Sequence, residues 1–228
     1  MVARNYFKDN LITEACIIDN VHELFIKVYL DYSIMLEHSI LNLQADQNLK
    51  KHPRNFYNYI LIDADQLYIL VDTFNTSVLG IRSITLGDMI NFKKTIIYIG
   101  KGKNERRNYH MNEAILLLEG KLGITRINSR YTKIVEIWEN GGGIIVLQLY
   151  SDSDHYVALC RENAMIQATG KTSLTNINSG SVYGLMKNEW TDHEILNFGE
   201  MLLYFSFKKC ILERPCPTYP DDLKKTRT

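Results

Sequence analysis

The chain has 228 residues, of which 46% are apolar, 23% charged and 11% aromatic, and its 26 basic and 26 acidic side chains give a formal net charge of zero. This length suits one domain with additions, or at most two small domains, and it suffices for folding without a disulfide or a structural metal. Four prolines and thirteen glycines are too few for a fibrous or disordered protein. Zero net charge argues against a protein that is held on nucleic acid by bulk charge.

The cysteines and the lack of long apolar segments limit the class further. Cys16, Cys160, Cys210 and Cys216 show no C-x-x-C spacing, which argues against a zinc site. The first ten residues lack the apolar core of a signal peptide, and no run approaches about 18 apolar residues. We therefore expect a soluble intracellular protein of the nucleus or cytoplasm, with reduced thiols and no membrane association.

The first third of the chain predicts helices followed by strands. Residues 20–45 carry apolar side chains at helical spacings and predict one or two helices. The polar stretch 44–55 predicts a boundary, so that residues 1–54 form an N-terminal helical extension. Residues 57–63 predict a strand, and residues 67–73 predict a second strand or an extension of the first.

A short helix and another strand are predicted next. Thr85 and, three residues later, Asp88 make a capping box at the start of a helix. Residues 95–100, TIIYIG, are rich in β-branched and aromatic side chains and predict a strand, which Gly100 and Gly102 are expected to stop.

The second half of the chain alternates helices with a strand. Residues 104–119 predict a helix that Gly120 ends, and Ser129 is the expected cap of a second helix. Residues 144–150 predict a strand, and residues 151–170 predict a third helix.

The C-terminal segment predicts one more helix and a tail. Thr191 and Glu194 form another capping box, which opens a helix as far as about Lys209, whereas the Pro-rich residues 213–228 are expected to be loose. The element order β, insert, β, α, α, β, α predicts a small α/β domain with a mostly antiparallel, three-stranded central sheet flanked by helices. The expected divisions are the extension (1–54), the main domain (55–190) and a C-terminal helix with its tail (191–228).

The strand that contains Tyr98 carries the first candidate functional residues. A G-x-G after a strand is a weak phosphate-loop signal, and the dinucleotide-binding pattern fails because no third glycine follows at the required spacing. Arg106 and His110 are four residues apart, on one face of the next helix. Three further candidates stand elsewhere in the chain: Tyr59, Glu162 and Asn176.

Taken in order, these positions resemble the motifs of the GIY-YIG endonucleases. Tyr98-Ile99-Gly100 matches the second motif literally, and Tyr59 lies where the family has its first motif tyrosine, although the sequence there reads Tyr57-Asn58-Tyr59. Arg106 matches the arginine that the family has in the helix after the second motif, and Glu162 matches its metal-binding glutamate. Asn176 matches an asparagine that the family has later in the chain.

The resemblance covers about residues 55–190 and is similar in detail to the nuclease domains of animal ankyrin-repeat-and-LEM-domain endonucleases. The long insert between the two motif tyrosines also resembles that subgroup. No ankyrin repeats are visible in the sequence, and residues 1–54 do not look like a LEM fold.

The resemblance implies a metal-dependent hydrolysis of phosphodiester bonds in DNA. It implies that Glu162 binds Mg²⁺ or Mn²⁺, since one carboxylate completed by waters and substrate oxygens suits such an ion. It further implies that Arg106 binds phosphate oxygens, that Tyr59 is the general base, and that Tyr98 and His110 orient water or phosphate. The candidate substrate contacts are Gly100, Lys101, Lys103, Arg107 and Asn176.

Two functions remain open at this point. The first is a DNA endonuclease, selective for branched or distorted DNA and active in DNA repair, as the resemblance implies. The alternative is a catalytically inactive DNA-binding or scaffold protein that retains the fold. The N-terminal helices are in addition a candidate surface for a protein partner.

The zero net charge conceals an uneven distribution of charge. Residues 93–133 hold 10 basic and 3 acidic side chains, a net of +7, whereas residues 1–50, 51–92 and 134–228 carry −3, −1 and −3. Because the positive segment is the one that carries Tyr98, the candidate site lies in a local basic patch, which suits a phosphate backbone.

Overall fold

A computed structural model of the chain describes residues 19–75, 83–104 and 106–225. In chain order, these residues form α1 (Asp19–Ala45), β1 (Phe56–Asp63), α2 (Ala64–Asn75), α3 (Leu86–Thr95), β2 (Ile96–Lys103), α4 (Arg106–Leu118), α5 (Ser129–Glu139), β3 (Ile144–Ser153), α6 (His155–Thr169), α7 (Gly184–Asn188), α8 (Asp192–Glu213) and α9 (Pro220–Lys225). Short 3-10 turns occupy Ile124–Arg126 and Lys171–Ser173. In this part of the chain, no helix is long and apolar enough to cross a bilayer.

The strands form one antiparallel sheet in the order β2-β1-β3, with helices on both faces and α1 ahead of the sheet. This arrangement confirms the predicted α/β class. In the pairing of β1 with β2, Tyr59 lies opposite Gly100 and Leu61 lies opposite Tyr98. Since directly paired residues point to the same face of a sheet, the two motif tyrosines share one face.

Two apolar cores lie on the two faces of the sheet. Alternate residues of β1, Tyr57, Tyr59 and Leu61, pack against α4 and α5. The intervening Ile60 and Ile62 pack against helices of the other face, including α6 and α8. Burying apolar residues on both faces explains why β1, the central strand, is almost entirely buried.

The second core also includes the helices outside the expected main domain. Leu36 and Ile40 of α1 and Phe198 and Leu202 of α8 belong to one cluster with the strand residues. Both terminal helices thus contribute apolar surface to the core around the sheet. The division at residues 54 and 190 stays a prediction.

The prediction of a strand or strand extension over residues 67–73 was wrong, because these residues lie in α2. Leu67, Leu70, Val71 and Phe74 are buried at i, i+3, i+4 and i+7, which is helical spacing. The carboxylate of Asp63 accepts hydrogen bonds from the first backbone amides of the helix. A short apolar run fits either period, and packing on the sheet selects the helix.

The expectation that Gly100 and Gly102 stop the second strand was also wrong, since β2 continues to Lys103. Both glycines instead lie beneath tyrosine rings of the neighbouring strand. A Cβ atom on Gly100 would lie 2.7 Å from the Tyr59 ring, and one on Gly102 would lie 3.0 Å from the Tyr57 ring. The glycines therefore give the tyrosines room to lie across β2.

Both predicted capping boxes are present, but one predicted cap is displaced. The boxes open α3 at Thr85 and α8 at Thr191. The expected cap Ser129 is the first residue of α5, and the side chain of Asn128 caps the helix by accepting from Arg130 N and Tyr131 N. A carboxamide oxygen caps a helix as well as a hydroxyl does, so two adjacent cap residues compete.

Helix α6 and the tail differ from the prediction in their bounds. Residues 151–153 belong to β3, and Asp154 caps a helix that begins at His155 and ends at Thr169, with Gly170 as its C-cap. Within the described residues, which end at Lys225, the tail is not loose. Thr218 pairs with Ile144 of β3 and accepts a hydrogen bond from the indole of Trp138, and α9 follows.

Candidate active site

The two tyrosines of the first motif have different surroundings. Tyr59 is fully buried, and its hydroxyl oxygen lies 2.7 Å from Nε2 of His110 on α4. The hydroxyl of Tyr57 instead donates to the carbonyl of Asn104 at 2.6 Å and accepts from the backbone amide of Arg107 at 3.1 Å. Tyr57 therefore holds the start of α4, whereas Tyr59 contacts a chemically competent side chain on that helix.

Sequence reasoning missed Arg130, a residue of α5 in this site. Its guanidinium carbon lies 3.5 Å from the centre of the Tyr98 ring, a cation–π distance, and its Nη1 lies 3.1 Å from the ring nitrogens of His110. Within the described residues its Nε is buried and without a hydrogen-bond partner. The only sequence signal for Arg130 was its membership of the positive segment 93–133.

Tyr59, Tyr98, His110 and Arg130 form a compact group, here named the tyrosine–histidine cluster. The ring centres of Tyr59 and Tyr98 are 5.8 Å apart, and the edge-to-face contact of Tyr98 with His110 measures 5.0 Å. A guanidinium only donates hydrogen bonds, so the nitrogen of His110 that faces Arg130 must accept. We assign Nδ1 as this acceptor, which leaves the Nε2 proton to be donated to the oxygen of Tyr59.

The cluster is uncharged except for its arginine. Burial lowers the pKa of His110 to about 3, and the charges of Arg130 and Arg106 lower it further. Burial and the nearby Tyr98 raise the pKa of Tyr59, whereas the same two arginines oppose this rise. Burial likewise raises the pKa of Tyr98. At neutral pH the histidine is therefore neutral and both tyrosines are protonated.

Glu162 lies on α6, the helix that packs on the opposite face of the sheet from α4 and α5. Burial raises the pKa of its carboxyl to about 7, against the opposing effects of the Lys101 side chain and backbone amide, then Arg106 and Arg130. Electrostatic coupling also joins Glu162 to Tyr98. Since Tyr98 is on β2, an edge strand, the carboxylate and the tyrosine–histidine cluster meet around that edge.

Glu162 is the carboxylate on which the charges of Lys101, Arg106 and Arg130 act. Among the described residues, no group of three or more His, Cys, Asp or Glu side chains is placed to hold a metal ion. A lone carboxylate suits Mg²⁺ or Mn²⁺, which keep several waters and bind substrate oxygens, but does not suit zinc.

The predicted phosphate contacts have different settings. Arg106 is the exposed first residue of α4, and its charge acts on Tyr59, His110 and Glu162. Lys101 is half-buried, with its Nζ 3.0 Å from Nδ1 of His155.

The remaining predicted substrate contacts have partners within the protein. Lys103 is exposed at the end of β2, and Arg107 donates to the side chain of Gln148 on β3. The side-chain amide of Asn176 forms hydrogen bonds with both backbone groups of Ile99, at the outer edge of β2. Its oxygen accepts from Ile99 N at 3.1 Å and its nitrogen donates to Ile99 O at 2.7 Å.

The family of the chain is decided by its match to a family model, the LEM-3-like GIY-YIG domain, over residues 56–225. The chain belongs to this family. It is 25% identical over 199 residues to human ankyrin repeat and LEM domain-containing protein 1, which covers 81% of the chain and 32% of that protein. To the mouse protein of the same name it is 28% identical over 160 residues, which covers 69% of the chain and 29% of that protein.

The chain thus spans about a third of the length of these curated relatives. No solved structure matches it. Membership of the family supports a nuclease-type function for the domain.

Proposed function

We propose that the domain is a divalent-metal-dependent endonuclease that hydrolyses phosphodiester bonds in DNA. The observation that carries the proposal is the 2.7 Å contact of Tyr59 with His110, in a cluster whose Arg130, like Arg106 nearby, also acts on Glu162. The site thus combines a proton acceptor, fixed positive charge and a carboxylate, which phosphodiester hydrolysis requires.

Tyr59 acts as the general base in its phenolate form. Burial opposes ionisation, whereas the Nε2 proton of His110 and the charges of Arg106 and Arg130 stabilise the phenolate. Tyr59 gives its hydroxyl proton to Tyr98, and Tyr98 releases its own proton to solvent. The resulting Tyr59 phenolate takes a proton from the attacking water. The water oxygen bonds to phosphorus, the bond to the leaving sugar oxygen breaks, and that oxygen takes a proton from solvent.

Glu162 is the residue that would hold Mg²⁺ or Mn²⁺. A bound cation supplies positive charge to the phosphoryl oxygens and to the leaving oxygen. The raised pKa of Glu162 fits this role, because burial disfavours the ionised carboxylate and a bound cation would stabilise it. With one protein ligand, the affinity for metal is weak until DNA supplies further oxygens.

Positive side chains at the start of α4 and the end of β2 bind the DNA backbone. Arg106 presents a planar fork of donors to phosphate oxygens, and Lys101, Lys103 and Arg107 add charge nearby. Gly100 and Asn176 contribute by shaping β2, the strand along which the substrate lies. Selectivity for branched or distorted DNA, a role in DNA repair and a nuclear or cytoplasmic location belong to the same proposal.

The test is cleavage of a panel of linear, flapped and four-way DNA with no metal, Mg²⁺ or Mn²⁺. The wild type is compared with Glu162→Ala, Arg106→Ala and the exposed-residue control Glu139→Ala. We expect metal-dependent cleavage by the wild type and the control, and loss in both site variants. Full cleavage activity in both site variants would refute the assignment of Glu162 and Arg106 to the active site. Binding without cleavage in any divalent ion supports instead an inactive DNA-binding protein.

A further inference from the structure

A second group of rings lies at the start of α6, outside the tyrosine–histidine cluster. The centres of His52 and His155 are 4.5 Å apart, and Tyr156 lies 5.5 Å and 5.0 Å from these two rings. Phe56 packs beneath, 4.8 Å from His155. Phe56 is buried, whereas the other three rings are only half-buried. His52, His155 and Tyr156 are here named the aromatic platform.

Two lysines border the aromatic platform. The ammonium of Lys101 lies 4.8 Å from the centre of the Phe56 ring and 3.0 Å from Nδ1 of His155, and Lys103 lies 5.9 Å from Phe56. An ammonium only donates, so His155 accepts this hydrogen bond as a neutral ring. Burial and the charge of Lys101 lower the pKa of His155 to about 4, in agreement with that assignment.

The aromatic platform is continuous with the candidate active site. His155 and Glu162 are seven residues apart on α6, which places them on one face of the helix and ~10 Å apart along its axis. Lys101 joins the two, because its side chain contacts His155 and its backbone amide favours the charged form of Glu162. This separation corresponds to about three stacked nucleotides of one strand.

We propose that the aromatic platform binds unpaired bases of the DNA strand that is cleaved, within a few nucleotides of the scissile phosphate. The inference rests on the proposed nuclease function and specifies its substrate class. A base in an intact duplex has its faces covered by its neighbours, whereas an unpaired base can stack on an aromatic ring. Lys101 and Lys103 provide the charge that follows the backbone of such a strand. Stacking without contacts to base edges gives little sequence preference.

The test compares binding of a fluorescein-labelled single-stranded oligonucleotide with binding of its fully paired duplex, by anisotropy in EDTA so that no cleavage occurs. The variants are His52→Ala and Tyr156→Ala, with His193→Ala, an exposed histidine on α8, as the matched control. We expect each platform variant to weaken single-strand binding about ten-fold and duplex binding much less. His52→Phe restores single-strand binding, since the ring face, not the imidazole nitrogen, makes the contact.

Circular dichroism of each variant verifies that the fold is intact. The proposal is overturned if the platform variants lose the same amount of affinity for the single strand and for the duplex, or if neither variant loses affinity. Cleavage in Mg²⁺ of the duplex, and of a duplex with unpaired nucleotides at its centre, tests the nuclease function separately. If the wild type cleaves DNA and both platform variants bind the single strand as tightly as the wild type does, the platform proposal is refuted and the nuclease proposal is not. If the variants lose single-strand binding selectively but the wild type cleaves no DNA, the nuclease proposal is refuted and the platform proposal is not.

Discussion

The hydroxyl oxygen of Tyr59 and the Nε2 atom of His110 lie 2.7 Å apart, although 51 residues separate them in the chain. The contact joins the central strand of the sheet to α4, the helix that begins with Arg106. Arg130 on α5 holds the other side of the same imidazole. Tyr59, the proposed general base on β1, is therefore oriented by His110 of α4 and, through that histidine, by Arg130 of α5.

Replacing Tyr59 and Tyr57 by phenylalanine separates chemistry from support. Tyr59→Phe removes the proton acceptor, so we expect kcat for plasmid nicking to fall about 10²–10⁴-fold with an intact fold. Tyr57→Phe removes two hydrogen bonds at the start of α4 and should cost about 1–2 kcal/mol of unfolding free energy while kcat falls less than ten-fold. Nicking rates and urea denaturation measure both. The opposite pattern would transfer the catalytic role to Tyr57.

Arg130→Ala should disturb the cluster through His110. Loss of the guanidinium removes the donor to the imidazole and a charge that lowers its pKa, so the pKa of His110 should rise. We expect cleavage to fall about 10–100-fold, with Arg130→Lys intermediate, because lysine keeps the charge without the planar fork. NMR titration of His110 and the pH–rate profile provide the measurements. Lys133→Ala on the same helix is the control, and an unchanged pKa of His110 would contradict the assignment.

Gly100→Ala should displace both motif tyrosines. The added Cβ would lie 2.6 Å from the Tyr98 ring and 2.7 Å from the Tyr59 ring, closer than carbon atoms approach. We expect a loss of about 1–3 kcal/mol in stability and a large loss of cleavage, since core rings cannot shift freely. Gly123→Ala is the matched control, because its Cβ would meet no atom within 4 Å. Thermal unfolding measures the stability of the two variants, and nicking assays measure their cleavage. Equal stability and equal cleavage of Gly100→Ala and Gly123→Ala would contradict the packing argument.

Glu162→Gln should lose cleavage and gain stability at alkaline pH. The folded pKa of about 7 exceeds the ordinary 4.5, so the folded protein holds this proton more tightly than the unfolded chain. The stability that this proton provides is full below pH 4.5 and is lost as the pH rises through 7. At pH 8 we therefore expect Glu162→Gln to be more stable than the wild type by on the order of 2 kcal/mol, a difference that disappears towards pH 4.5.

On the proposed function, cleavage by the wild type should have the opposite pH dependence, because a cation would bind the ionised carboxylate of Glu162. At limiting Mg²⁺ the rate should rise between pH 6 and 8. Calorimetric melting at several pH values and nicking rates provide the measurements, with Glu139→Gln as the control. Destabilisation of Glu162→Gln at pH 8 would show that the carboxylate has a structural partner.

Asn176→Ala should weaken the outer edge of β2. The asparagine amide satisfies both the N–H and the C=O of Ile99, which an edge strand otherwise leaves to solvent. We expect a cost of about 2 kcal/mol and a lower rate of cleavage, since Tyr98 and Gly100 flank Ile99. Asn178→Ala, an exposed residue of the same loop, is the control. Hydrogen exchange of the Ile99 amide reports on the edge directly, and unchanged protection would exclude this role.

The sequence by itself determined the features that depend on neighbours three or four residues away. The capping boxes at Thr85 and Thr191 are local hydrogen bonds, and both form as predicted. Short runs rich in apolar, β-branched and aromatic residues likewise predicted the three strands near residues 57–63, 95–100 and 144–150, and all three form. The order of motif residues, with their resemblance to one nuclease family, indicated the family that the comparisons show.

Only the tertiary structure decided the features that join distant segments. Residues 67–73 fit a strand or a helix until packing on the sheet selects the helix. Arg130 enters the site because α5 packs beside α4, and Gly100 continues a strand because a tyrosine of the next strand lies across it. Such contacts depend on the free energy of the whole core rather than on local preference. They therefore cannot be predicted from any short segment of the sequence.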